Sequence, residues 1–184
     1  MPTQISNEGA MSFADGNALS TDVAKAPTFL NGFVNPTSGW KNSTETDSKN
    51  GKYVYTSDDG LCTATLLQLK IDKASFDMVK GDDKTSSTNA LVWYFSSTPK
   101  LAQEVPEAAA DATLPFGTGW EAGDAGTDFR GVSAPTTNGG AFATYARAFA
   151  QPSIALFAQI NCTTTDAFAK HAQSALLDSG VIVE

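Results

Sequence analysis

The chain has 184 residues, 41% hydrophobic and only 17% charged, with a formal net charge of −8 and a pI near 4.5. That length suits one domain able to bury its own core. The acidic balance, with no Lys/Arg cluster, sets aside nucleic acid and anionic lipid surfaces as partners, because both require a basic footprint. Low charge with abundant Ser, Thr, Asn, Gly and Ala fits a β-rich extracytoplasmic or particle-associated protein better than a cytosolic enzyme.

Residues 1–26 are polar and aperiodic, with Met11 and Phe13 among the few large apolar residues before Val23, and read as an N-terminal arm or linker ahead of a single domain over 27–184. The start lacks a basic n-region and an apolar h-region, so it is not a signal peptide. Met1 fits either the native start of a cytosolic or virion protein or a start following a removed signal or lipid-anchor segment. No apolar run reaches the ~18 residues of a membrane-spanning helix.

Thr28 to Val34 predicts a first short strand, broken by Asn35-Pro36. A polar loop around Trp40 follows; a Trp there covers the edge of a core or offers a binding aromatic. Lys52 to Ile71 predicts a hairpin around Ser57-Asp58-Asp59-Gly60, where Asp-Gly supplies the positive φ that hairpin turns need. Tyr53 and Tyr55 share one face. Cys62, Ala64 and Leu66 share a face, and Leu67, Leu69 and Ile71 take the opposite one. The phase slip at Leu66-Leu67 implies a bulge or burial on both sides.

Asp72 to Lys80 predicts a short helix stopped by Gly81, 82–89 a solvated loop, and Ala90 to Phe95 (ALVWYF) a strand. Thr98-Pro99 opens a helical turn, and Pro106 opens a second short piece. Residues 114–140 are glycine-rich and carry Phe116, Trp120 and Phe129, with a short strand expected near Asp128 to Val132. Aromatics in glycine-rich loops make Trp40, Phe116, Trp120 and Phe129 the candidate interaction surface. Ala141 to Ala150 and Ile154 to Cys162 predict two strands. Tyr145, Arg147 and Phe149 share a face of the first; Ile154, Leu156, Ala158, Ile160 and Cys162 share a face of the second. A helix capped by Thr165 follows over 166–177, with Phe168, Ala172, Ala175 and Leu176 as its apolar stripe, and a short Val-rich strand closes the chain.

The fold class that results is α+β: a twisted, mostly antiparallel sheet with the C-terminal helix packed on one face. The two cysteines, Cys62 and Cys162, allow one structural disulfide. In the chain-entropy account, closing a loop of about 100 residues stabilises by up to ~4.7 kcal/mol. Two buried free thiols in a reducing compartment are the alternative.

Chemical signatures are sparse. His171 is the single histidine, so any Ser-His-Asp or Cys-His site must use it, and a multi-histidine metal site is excluded. No nucleophile elbow, phosphate-binding loop or dinucleotide fingerprint occurs. Glu121, Asp124 and Asp128 are oxygen donors of the kind calcium takes, but the flanking helices and closing Glu of an EF-hand loop are missing, so the stretch reads as an acidic solvated loop. No catalytic residue, cofactor or metal is assigned.

Gly39-Trp40 after an extended Pro-containing start, the Tyr53 to Ile71 strands, a late strand with central Arg147, its hairpin partner, a Thr-capped helix and a Val-rich last strand together resemble the PsbP-like fold and small lipoprotein ectodomains of high-GC Gram-positive bacteria. The resemblance implies a non-catalytic accessory subunit that docks on a larger assembly, and carries over no functional residue. The expectation is a non-enzymatic extracytoplasmic binding domain of the cell envelope, acting through a protein partner. The alternative is a virion structural protein, a phage tail or decoration subunit, assembling through its arm and glycine-rich loop.

Overall fold

The computed structural model describes residues 11–71, 75–117, 121 and 124–183. Among them, nine strands and three α-helices form an α+β fold in three layers. The middle layer is a seven-stranded antiparallel sheet, ordered β2 (Trp40–Asn42), β3 (Lys52–Ser57), β4 (Cys62–Lys70), β8 (Ile154–Cys162), β7 (Ala141–Phe149), β6 (Thr127–Pro135) and β5 (Ala110–Leu114). Helix α3 (Thr165–Leu177) and a two-stranded ribbon of β1 (Thr28–Asn31) and β9 (Ser179–Ile182) cover one face. Helices α1 (Asp83–Tyr94) and α2 (Pro99–Ala108) cover the other.

Both faces of the sheet are therefore interior, and this resolves the phase slip in β4. Its pairing with β8 runs without a break from Cys62↔Cys162 to Lys70↔Ile154, so there is no bulge. Leu66 enters the core under α3, whereas Leu67 and Leu69 pack toward α1. The β3–β4 turn closes through the Gly60 amide bonding to the Ser57 carbonyl at 2.8 Å, with Gly60 at φ +72. The β7–β8–α3 unit follows its sequence pattern, except that Thr164 rather than Thr165 caps the helix, accepting from the Ala167 amide at 3.1 Å.

Three expectations are corrected. The stretch expected as a strand over Ala90 to Phe95 is the second half of α1 with its C-cap Phe95, and 82–89 is the N-cap Asp82 and the first half of the helix rather than a solvated loop. The inward stripe of α1 begins as polar residues: Asp83, Ser86 and Ser87 are buried, followed by Ala90 and Leu91. The Ser87 hydroxyl donates to the Asp83 carbonyl at 2.6 Å and accepts from the Ala148 amide at 2.8 Å, so the small side chain lets the helix lie close to β7 with its polar atom satisfied. The helix expected over 72–80 is not formed in its described part, 75–80; Asp72, Lys73 and Ala74 lie outside the described residues. Pro106 does not open a second piece. It sits in the last turn of α2, where its missing N–H removes a single intrahelical bond, and the Ala109 amide still reaches the Val105 carbonyl at 2.8 Å.

The expected arm divides. Residues 1–10 lie outside the described residues, while 11–26 pack into the domain: Met11 is fully buried, bridges Thr127 in parallel, and its amide bonds the Gly126 carbonyl at 3.1 Å. The β6–β7 pairing stops at Arg130↔Ala146, and Arg147 takes over from it. Its guanidinium donates to the carbonyls of Asp128 at 2.9 Å and Ser12 at 2.9 Å and to the Asp83 carboxylate at 3.0 Å. The rings of Phe13 and Phe149 flank it at 4.7 and 4.5 Å. Burial pushes the Asp83 carboxyl up, against the Ala150 amide and Arg147, which pull it down.

Candidate functional site

The two cysteines meet as expected. Cys62 opens β4, Cys162 ends β8, the two are cross-strand partners, and the sulfurs are bonded at 2.06 Å. The pair ties adjacent strands at the centre of the sheet, with both side chains buried, so it is a structural clasp.

The aromatic surface is corrected. Phe129 is 0% exposed, Phe116 6% and Trp40 7%. Period-2 alternation places Phe129 on the face of β6 that meets the α3-side core, and Phe116 is held beside Val181 by an isolated parallel bridge. Trp40 meets Phe33 edge-on at 5.3 Å, and Phe33 stacks on Tyr55 at 4.9 Å. Phe116 and Phe129 are core side chains, while Trp40, largely buried, also lines one end of a surface groove; Trp120 lies outside the described residues. Trp40 opens β2 and Phe129 lies within β6, strands that the glycine-rich and polar composition around them hides.

His171 belongs to a compact polar clamp. Its Nε2 lies 2.7 Å from Asp59 Oδ2, the Lys170 ammonium donates to the same oxygen at 2.8 Å, and the Ser57 hydroxyl donates to Asp59 Oδ1 at 2.7 Å. Lys170 first, then His171, Ser57 and the Leu61 amide, hold the Asp59 carboxyl well below the usual carboxylate range. The order of groups is wrong for acyl transfer. A triad needs the imidazole between hydroxyl and carboxylate, whereas here the carboxylate bridges the other two and accepts the hydrogen bond that the serine hydroxyl donates. The cluster fastens α3 to the β3–β4 turn.

The acidic stretch is likewise occupied. Asp124 accepts the Glu121 amide at 2.9 Å, and Asp128 accepts the Phe13 amide at 3.0 Å. Among the described residues, no group of His, Cys, Asp and Glu is arranged to hold a metal ion.

Among the described residues, a groove runs along the α3 side of the sheet. Its floor is Tyr53, Gln68, Lys70 and Ile154; its walls are β1, the turn at 22–24 and the turn at 48–51. This section encloses about 800 Å³. A second section of about 480 Å³ continues past Asn31, Ser48 and Tyr53, common to both, toward Pro36, Trp40 and Asn42. The Tyr55 hydroxyl accepts from Asn31 Nδ2 at 2.6 Å and fixes that amide at the waist, leaving Asn31 Oδ1 buried and without a hydrogen-bond partner. The Tyr53/Tyr55 face was legible in the sequence. That β1 and the 22–24 turn fold back over it was not, because the closure depends on β1 pairing with the far end of the chain.

No protein-family model matches this chain, and no curated protein matches it.

Proposed function

We propose that this chain is a non-enzymatic, extracytoplasmic binding domain of the cell envelope, as its resemblance to PsbP-like lipoprotein ectodomains implies. The observation that carries the reading is the Cys62–Cys162 disulfide between the two central strands, since such bonds persist in oxidising compartments and are rare in the cytosol. The groove bounded by β1 and the β3–β4 face, which Trp40 lines at one end, is the contact surface, and the buried Phe116 and Phe129 take no part in it. The virion alternative drew on a free arm over 1–26, and the packing of 11–26 into the domain removes part of that support.

The test is thiol alkylation of the protein within its native source, read by intact mass before and after reduction. Both cysteines are expected to resist alkylation until reductant is added. Two freely alkylated thiols after denaturation without reductant would remove the envelope reading.

A further inference from the structure

The two-section groove has a distribution of chemistry that narrows its ligand. The section toward Trp40 contains no charged side chain among its lining residues; its polar groups are amides and hydroxyls such as Asn42, Thr46 and Ser48. The section toward Ile154 adds two exposed ammonium groups, Lys49 and Lys70, neither of which has an ion-pair partner among the described residues. Its one acid, Asp22, is already engaged, accepting the Ala24 amide at 3.0 Å. Tyr53, half-buried and common to both sections, offers a ring at the waist.

We propose that this groove binds an acidic oligosaccharide chain, with sugar rings passing over Tyr53 and a carboxylate-bearing or otherwise anionic residue beside Lys49 and Lys70. The proposal rests on the binding-domain reading and adds the class of ligand. An elongated, open groove suits a linear chain rather than a compact metabolite. Sugar rings present apolar C–H faces to an aromatic and hydroxyls to amides at their edges, and a hydroxyl both donates and accepts, so it can satisfy Asn, Gln, Ser and Thr alike. Thr46 and Asn42 already bond each other at 2.7 Å, but an acyl chain would leave the Ser48 hydroxyl and the Gln68 amide without partners. A peptide captured by strand addition would use the edge of β1 and leave the floor residues Gln68 and Lys70 unused.

The experiment is titration of the full chain, ¹⁵N-labelled, with three probes: a hyaluronan hexasaccharide, which alternates N-acetylglucosamine and glucuronate, neutral chitohexaose, and decanoate. The expected result is amide shifts centred on Asn31, Ser48, Tyr53 and Gln68, with the acidic hexasaccharide binding about fivefold more tightly than the neutral one. That gap should close in Lys49→Ala/Lys70→Ala, whose exposed side chains can be removed without touching the core. Tyr53→Ala should weaken both sugars by about tenfold; thermal melting confirms that the variant is folded. Shifts with decanoate alone, or no groove shift with either sugar, overturn the proposal. If the disulfide is present in the native source and the sugars do not bind, the ligand assignment fails while the envelope reading stands.

Discussion

Arg147 and Asp83 meet at 3.0 Å with side-chain exposures of 0% and 1%, joining the seventh strand to the first turn of α1. Asp83 also accepts the Ala150 amide at 3.0 Å, so one carboxylate secures both the guanidinium and the end of β7. Removing one partner of a buried pair leaves the other charge uncompensated. Asp83→Ala should therefore destabilise by about 3–5 kcal/mol. Arg147→Met combined with Asp83→Leu should lose less than the single change. Urea unfolding of the three proteins checks both; a loss below 1 kcal/mol for Asp83→Ala would show that the pair is not what fixes α1.

Reducing Cys62–Cys162 should lower the denaturant midpoint without abolishing the fold, because the chain has a large core on each side of the sheet. The chain-entropy account gives up to about 4.7 kcal/mol for a closed loop of 100 residues. Guanidinium titration with and without reductant measures it, and Cys62→Ala/Cys162→Ala should fall with the reduced protein.

Phe129→Ala should behave as a core truncation, costing about 3–5 kcal/mol. Val34→Ser, at a residue 69% exposed, should change stability by no more than about 0.5 kcal/mol. Thermal and urea unfolding compare the two. Were Phe129 a docking side chain, the first substitution would leave stability unchanged.

Asp59 gives the clamp on α3 a defined pH dependence. Its folded-state pKa lies below its unfolded value, so the stability it contributes is present above the ordinary carboxylate range and is lost as pH falls through the folded value. Asp59→Asn should then be less stable than the parent near neutral pH, with the difference shrinking as acid protonates the parent's carboxylate. Urea midpoints at about pH 6, 4 and 2.5 follow the convergence. A difference that stays constant over this range would mean that Asp59 acts only through its shape.

Strands β7 and β8 were legible in the sequence although both their faces are buried, because one face carries a regular set such as Ile154, Leu156, Ala158, Ile160 and Cys162 while the other mixes small alanines with Gln159 and Asn161, which break the apolar run. Helix α1 was not legible because its first two inward turns use Asp83, Ser86 and Ser87, which satisfy backbone groups and so break the apolar stripe that periodicity looks for. Its second half, Ala90 to Phe95, then looks like a strand by residue type alone. Gly16 explains why the first described segment is not a free arm: a Cβ there would collide with the Asp83 carboxylate, so the glycine lets 12–18 close over the Arg147 pair. The groove was half legible, since Tyr53 and Tyr55 mark its floor, while its roof comes from pairings between residues at opposite ends of the chain.

The clasp between β4 and β8 also divides the molecule under mechanical load. A chain pulled from its two ends transmits tension through the Cys62–Cys162 bond and bypasses the residues between them, including α1, α2 and strands β5, β6 and β7. Only the segments outside the bond can be drawn out. Breaking it releases a further 100 residues of separation, a hidden length of roughly 330–360 Å at full extension. Under tension the protein loses its β1–β9 ribbon and the β1 wall of the groove while the residues between the two cysteines stay tethered, and the oxidised and reduced proteins differ in pulling experiments by that one step.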